Sequence, residues 1–477
     1  MGVTKNKIFL DAVHGYIAVP VDFCDELIDT APFQRLRRIE QTSVRSLFPC
    51  ARHDRFIHSL GVFHVGQQII DAIETSFFIP SGIRQSYLIA CLMHDCGHSP
   101  FSHTFEHLFG TPESLFEEYK KAIKTHNMDS SIHNVDISKT DAKHHEIISA
   151  LLCVTMYYEK IIVLGGNPAL VGRMIMGLKF NVNENKSLAN CFISLLHGDV
   201  IDADRIDYVC RDRWASGYMN TSLDVKRLID SIHIKIRGQE HIVTFQKNAI
   251  NEIQALIDSK NFQATTVFVH HQVIYEQMLL KDAVEAMIRS IQEDGQLEPS
   301  KLFNYHAMYS QQEVCNGIKI YLPMDDDIVS LMKRYQDKIP SLEQWLSRSY
   351  LFYPLWKSRA EFLATFSDIG KAAEILSAKI NLFDTVFVDV IKRIIKEDPI
   401  VLNANPQLKK IHEGEILVDF GDKEIDFTKL DLPREIDVYQ EQVFKYIYIP
   451  NAHIDKKEML IAELIDAARQ NMAAQES

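Results

Sequence analysis

The chain opens on two short runs in which apolar and polar residues alternate, KIFLDAV and YIAVP, separated by His14-Gly15. Strict alternation sends every second side chain to one face, so the pair predicts a β-hairpin. From Asp22 to about residue 290 the period becomes helical. FCDELIDTAPFQRLRRIEQ reads as one helical pattern interrupted near Pro32, and SLGVFHVGQQIIDAIETSF as another. RQSYLIACLMHD is apolar on nearly every side, which predicts a buried helix. HHEIISALLCVTMYYEKII and SLANCFISLLHGDVIDADRIDYVCRD continue the helical series. HIKIRGQEHIVTF predicts a hairpin turning at Arg237-Gly238, and a helix is expected from Asn248 to about Arg289.

Beyond about residue 300 the pattern is mixed. MDDDIVSLMKR and SLEQWLSR predict short capped helices. EILVDF-GDK-EIDFT predicts a hairpin turning at Gly421, and FKYIYIP a strand ahead of the amphipathic KEMLIAELIDAARQ. The expected fold is mainly α. A helical catalytic domain with the N-terminal hairpin covers 1–300, and a smaller α+β region serving oligomerisation or regulation covers 301–477. No internal repeat or low-complexity tract interrupts this order.

Composition narrows the classes. With 477 residues, 46% apolar and 24% charged, the balance is that of an ordinary globular protein. No apolar run long enough for a membrane span is present, so no membrane partner is expected. The start, MGVTKNKIFLDAVHG, lacks a signal-peptide core, and Asn6 breaks the myristoylation pattern. Eight scattered cysteines without a CxxC pair read as buried, reduced thiols. Together these lead to the expectation of a cytoplasmic location. The net charge of -13 argues against a general nucleic-acid surface. An anionic ligand would need local basic groups, and Arg35, Arg37, Arg38, Arg45, Arg52, Arg55, Arg205, Arg211 and Arg213 supply candidates.

Eleven of the twenty histidines fall between His53 and His145, under a fifth of the chain. His94-Asp95 are adjacent, so both reach one metal from one turn. His58 upstream and Asp204 downstream complete a mixed imidazole–carboxylate set, which suits zinc, iron, manganese or nickel better than calcium. Asp95 lies in an apolar stretch, where an unpaired carboxylate is costly to bury. Four ligands leave two octahedral positions for water and a phosphate oxygen. Proton transfer then needs a neighbour, and His103 with Glu106 three residues on is the candidate acid or base pair. Glu146 is a candidate partner for a ligating histidine's second nitrogen. Arg55, one turn before His58, has a fork suited to phosphate.

In IDTAPFQRLRRIEQ, RHDRFIHSLGV, HDCGHSPFSH, HHE and DADRIDYVCRD, over roughly residues 8–220, the chain resembles the HD-domain phosphohydrolases. It is most similar there to the deoxynucleoside triphosphate triphosphohydrolases. The resemblance implies an HD-domain helical metallophosphohydrolase core, with His58, His94, Asp95 and Asp204 as metal ligands. It implies catalysis by His103, with Glu106, and with His98 and His145 contacting phosphate or supporting the site. Arg205 stands where relatives carry a phosphate-binding lysine. Tyr208 and Asp212, helped by Gln41, would hold a deoxyribose 3′-hydroxyl, and Tyr275 would close against the 2′ carbon.

The implied activity is hydrolysis of a deoxynucleoside triphosphate to deoxynucleoside and inorganic triphosphate, with magnesium riding on the substrate. Asp29, Gln34 and Arg37 match residues that read a guanine activator, which implies GTP or dGTP stimulation in a homodimer or homotetramer. Thr42 and the segment Glu276, Gln277, Met278 depart from the relatives' pattern. A 5′-nucleotidase, a cyclic-nucleotide phosphodiesterase and a non-catalytic nucleotide sensor are the competing readings, since a shared fold does not fix the substrate.

Overall fold

The computed structural model describes residues 5–42, 47–181, 186–198, 201–218, 223–294, 303–315, 317–369, 381–408, 411–432 and 444–476. Arg45 of the basic series lies outside them. The chain forms two compact units, each discontinuous in sequence. The first comprises Met1–Ser259, Ile288–Leu331 and Ile411–Asp431; the second comprises Lys260–Met287, Met332–Lys410 and Leu432–Ser477. The division is therefore not a single cut at residue 300. Lys260–Met287 belongs to the second unit and Ile411–Asp431 to the first.

The first unit is helical, with a hairpin at its start. Asn6–Asp11 pairs antiparallel with Gly15–Pro20, and Asp11 faces Gly15. Gly15 closes the turn at φ +73, a conformation that costs glycine little. The helices Arg55–Glu74, Ser81–Met93, His144–Val154 and Ala203–Ser216 carry the candidate chemistry. Tyr87 through Met93 are all buried, as their unbroken apolar run predicts. The hairpin Ile232–Arg237 with Glu240–Gln246 forms as expected. The expected hairpin Leu417–Asp419 with Glu424–Asp426 also forms. It joins the first in parallel, Phe245 opposite Val418, giving a four-stranded sheet. That pairing spans some 170 residues and has no local signal.

Three helical expectations need correcting. The stretch after Asp22 is four short pieces, Val21–Phe23, Cys24–Ile28, Ala31–Gln34 and Arg35–Arg38. Thr30 is extended and Pro32 sits in the first turn of a new helix, where its missing N–H costs nothing. His144–Val154 ends at Thr155, whose hydroxyl turns back to the Leu151 carbonyl at 2.6 Å, and a separate helix runs Tyr158–Val163. The expected Asn248–Arg289 helix breaks between Ala264–Phe268 and His271–Glu293. β-Branched Thr265, Thr266, Val267 and Val269 crowd the helical turn at that point.

In the second unit, Lys445–Pro450 is the centre of a three-stranded sheet between Phe352–Pro354 and Ile400–Asn403. Its core is aromatic: Trp356, Phe362, Phe366, Phe383, Phe387, Phe444 and Tyr448 are buried together. Leu460, Leu464 and Ala468 bury one stripe of the final helix, Lys457–Glu476. Among the described residues, no helix is long and apolar enough to cross a membrane.

Candidate metal centre

Asp54 caps the Arg55–Glu74 helix by accepting the Ile57 N–H at 2.9 Å, and this sets His58 one turn in, fully buried. His94 and Asp95 do not continue the Ser81–Met93 helix but occupy the turn that ends it. There the His94 Nδ1–H caps the Cys91 carbonyl at 3.0 Å, one of the orphan acceptors of a helix end. Asp204 lies in the first turn of Ala203–Ser216, a helix started by Asp202, whose carboxylate accepts the Arg205 N–H at 2.6 Å.

These elements bring the four expected ligands together. His58 Nε2 lies 3.0 Å from Asp204 Oδ1 and 3.5 Å from Asp95 Oδ2. His94 Nε2 lies 3.5 Å from Asp95 Oδ1 and 3.6 Å from Asp204 Oδ1. The two Nε2 atoms are 3.3 Å apart. Donors about 2.1 Å from a central ion stand roughly 3.0 Å apart on an octahedral edge and about 3.4 Å on a tetrahedral one. His58 Nδ1 donates to Asp207 at 2.7 Å and His94 Nδ1 to Cys91, so both Nε2 atoms point lone pairs inward when neutral. His58, His94 and Asp95 form a group able to hold a metal, Asp204 Oδ1 lies beside both imidazoles, and the donor set fits a divalent metal.

Burial opposes charging His58, yet the Asp204 and Asp207 carboxylates lift its pKa to about 10. Burial likewise opposes ionising Asp95, but Arg55, at 2.7 Å, with His94 and His98 nearby, holds it well below the carboxylate range. Asp204 is the most open ligand, its side chain 38% exposed, so solvent reaches the site on its side.

Asp207 is the functional residue that sequence reasoning missed. It is fully buried and orients His58. Its signal was present: an Asp between Ile206 and Val209 on a buried stripe, with Arg211 one turn on. Glu146, expected in this role, instead accepts the Lys143 N–H at 2.7 Å at the start of its own helix. Its carboxylate also lies 3.4 Å from His197 Nδ1. Gly61 makes room for Asp207, because a Cβ there would lie 1.9 Å from its Oδ1. Gly61→Ala is expected to cost about 1–3 kcal/mol as an overpacked core change and to weaken metal retention. Denaturant unfolding and metal analysis after dialysis check both.

Beside the ligands sits a second cluster. The donor atoms of His98, His103, Glu106 and His145 all lie within 4.8 Å of one another. Glu106 Oε1 accepts from His103 Nδ1 at 2.7 Å and from His145 Nδ1 at 2.8 Å. The segment Ser102–Phe109 is two short helical turns joined at a kink at Phe105 (φ -123, ψ 16), and Glu106 reaches His103 across that kink. Phe101, at φ 57, precedes the segment and Ser102, at φ 54, opens it, both left-handed non-glycine residues. Asp325 pins that turn by accepting the Phe101 N–H at 2.7 Å. Gly97 lets the His94-Asp95 turn lie against the His145 helix, since a Cβ would come within 2.5 Å of the Ser149 nitrogen.

His98 is enclosed, stacked on His145 at 3.8 Å, with Nε2 3.2 Å from Asp95 Oδ1. Only His103 is open, its side chain 55% exposed. Burial of the ring pushes its pKa below the ordinary value, with Glu106 opposing and Arg55 and His145 aiding. Arg55 joins the two clusters: NH1 binds Asp95, Nε donates to Ser102 Oγ at 3.0 Å, and NH2 reaches His103 Nε2 at 3.4 Å.

Residues 55–162, which hold His58, His94, Asp95 and the His98–His103–Glu106–His145 cluster but not Asp204 or Asp207, match the HD domain family. The chain carries an HD domain. It is 29% identical over 307 residues to a protein of Dictyostelium discoideum named as a deoxynucleoside triphosphate triphosphohydrolase SAMHD1 homolog, covering 63% of this chain and 53% of that one. An uncharacterized protein of Bacillus subtilis is 24% identical over 329 residues, 69% of this chain and 65% of that one. The chain thus matches less than two thirds of either relative's length. A phosphohydrolase structure from Bacteroides thetaiotaomicron shares the fold, with a TM-score of 0.61 at 17% identity over 94% of this chain and all of that one.

Around these two clusters, other expected residues are distributed unevenly. Asp212 Oδ1 lies 2.8 Å from His53 Nε2, outside hydrogen-bond geometry. Asp212 Oδ1, both His53 ring nitrogens, Gln41 Oε1 and Thr42 Oγ1 are all buried without a hydrogen-bond partner. Gln41 is tied to this group through its N–H on the His53 carbonyl at 3.0 Å. His53 was not singled out from the sequence. Arg205 Nε donates to the Tyr208 hydroxyl at 3.3 Å. Tyr275 lies in the second unit, in ring contact with Tyr448, its hydroxyl donating to Gln344 at 3.1 Å. Asp29 accepts from Lys7 at 2.6 Å, Gln34 accepts from Arg37 Nε at 2.9 Å, and Arg37 covers the Phe56 ring.

Proposed function

We propose that the protein hydrolyses deoxynucleoside triphosphates to deoxynucleoside and intact inorganic triphosphate. The observation that carries this reading is the pair of clusters joined by Arg55: a four-donor metal site open at Asp204, and a histidine–carboxylate pair whose exposed member is His103. A divalent transition metal such as iron, manganese, zinc or nickel, when bound by His58, His94, Asp95 and Asp204, supplies Lewis acidity toward water and a phosphoryl oxygen.

The chain's own residues do the rest. Water adds to the α-phosphorus and releases a proton to solvent, the bond to the 5′ oxygen breaks, and His103 protonates that oxygen and regains its proton from solvent. Glu106, ionised and buried, steadies the charged ring against its desolvation. Arg55 commits one N–H each to Asp95 and Ser102, and the N–H that faces His103 Nε2 in the neutral ring is released when that nitrogen carries the acid proton. Three of its five N–H groups are then left for phosphate. Arg205 adds a second cation, and magnesium accompanies the triphosphate.

Gln41 Oε1 and Thr42 Oγ1, buried without a hydrogen-bond partner beside the close His53–Asp212 pair, support a ligand bearing hydroxyls, because buried polar groups are normally paired. Asp29 and Arg37 together offer an acceptor and a donor for a guanine, in a protein proposed to work as a homodimer or homotetramer and to reside in the cytoplasm.

One experiment tests the reading. Each dNTP is incubated with Mn²⁺, Fe²⁺, Zn²⁺ or Ni²⁺, with and without GTP, and the products are separated chromatographically. Deoxynucleoside and triphosphate are expected, with a lag or sigmoid that GTP removes. Orthophosphate from nucleoside monophosphates, or linear from cyclic nucleotides, would replace the reading with that of a nucleotidase or phosphodiesterase. Nucleotide binding without turnover under every metal would leave a sensor.

A further inference from the structure

We infer that the N-terminal hairpin is a working part of the metal centre. His14, at its turn, is a positioning residue for the ligand His58 and acts through Asp207. The inference rests on the four-donor metal site proposed above.

Asp207 is fully buried and both its oxygens are saturated. Oδ2 accepts from His58 Nδ1 at 2.7 Å and from Arg211 Nε at 2.9 Å. Oδ1 accepts from His14 Nε2 at 2.6 Å and from Arg211 NH2 at 2.9 Å. His14 crosses 193 positions of sequence to make that contact, and its side chain is only 8% exposed. The turn is itself braced to the same arginine. Asp11 Oδ1 accepts the Val13 and His14 N–H groups at 2.8 Å each, and its Oδ2 takes Arg211 NH1 at 2.8 Å. Asp11, His14, Asp207 and Arg211 form a closed ring of charge-assisted hydrogen bonds, and His58 hangs from it.

This arrangement does more than anchor a hairpin. A carboxylate behind a ligating histidine fixes the ring's tautomer and angle and raises its basicity as a donor. Arg211 grips both Asp207 oxygens from one side, and His14 and His58 complete the set from the others. Arg211 alone pins one edge, and His14 pins the opposite corner. The hairpin's outward face takes no part: Leu10 is 77% and Tyr16 74% exposed. The inward-facing turn spends its polar atoms on the support of one ligand.

The test compares metal-stripped wild type with His14→Ala, His14→Gln, Asp11→Asn and Leu10→Ala. Mn²⁺ affinity is measured by calorimetry, and the Co²⁺ d–d spectrum is recorded. His14→Ala is expected to bind about 10- to 100-fold more weakly, the usual effect of removing such outer support, with shifted Co²⁺ bands. His14→Gln, whose amide N–H can replace Nε2–H, should recover most of the affinity. Leu10→Ala should match wild type.

His14→Ala within twofold of wild type with an unchanged spectrum would overturn the inference. So would a His14→Gln loss as large as that of His14→Ala, since the hairpin would then act by packing alone. Should His14→Ala fail to fold, Asp11→Asn decides, because it cuts the hairpin's tie to Arg211: weaker binding supports the inference, unchanged affinity overturns it. The failures are separable. A wild type that binds metal but releases no triphosphate sinks only the proposed reaction, whereas an indifferent His14→Ala in an active enzyme sinks only this inference.

Discussion

Asp204→Ala is expected to yield a folded protein that retains no divalent metal after dialysis and has lost hydrolysis by about a thousandfold or more. Asp204 contributes the carboxylate nearest His58 Nε2, at 3.0 Å, and the ligand most open to solvent. Without it, two imidazoles and one carboxylate remain, and that carboxylate is already shared with Arg55. Lewis-acid assistance is worth several kcal/mol. At about 1.36 kcal/mol per tenfold, its loss reaches roughly three orders of magnitude. Metal analysis, circular dichroism and turnover on the same preparation check the three parts. Full activity with an empty site would sink the mechanism, and full metal occupancy in the variant would sink the ligand assignment.

His103→Ala is expected to lower kcat by about 10²- to 10⁴-fold, the ordinary worth of general acid catalysis, while metal content stays at the wild-type level. Its pH profile carries the diagnosis. As an acid, His103 must be protonated, so log kcat/KM falls as pH rises through its pKa. In the free protein that value lies below the ordinary histidine range. A bound triphosphate adds negative charge, which favours the imidazolium. The falling limb of kcat should therefore lie at higher pH than that of kcat/KM.

Glu106→Gln removes the partner that raises the His103 pKa and should shift both limbs to lower pH. His103→Ala should abolish them. A limb that persists unchanged in His103→Ala would assign the acid to another group. His145 shares the Glu106 oxygen at 2.8 Å and would be the next to test.

The sequence by itself determined the parts with a local or compositional signature. Alternation gave the N-terminal hairpin, and the apolar run gave the buried Ser81–Met93 helix, because side-chain direction follows backbone period. That His58, His94, Asp95 and Asp204 come near one another was legible because imidazoles and carboxylates set in apolar helices form a restrictive pattern. The His103–Glu106 pair was legible because residues three apart lie close in any tight turn, although a kink at Phe105 replaces the regular helix expected there.

Only the tertiary structure decided what holds these groups in place. Asp207 and His14 are 193 positions apart, and neither residue type nor spacing announces that they share a hydrogen bond behind His58. Asp325 lies 224 positions beyond the strained turn it pins. Glu146 went to its own helix start because a backbone N–H three residues away is always within reach, whereas a ligand histidine is not. Periodicity records which face of a segment is apolar. It carries no information on which distant carboxylate meets that face, because that pairing is set by chain topology and close packing across the whole unit.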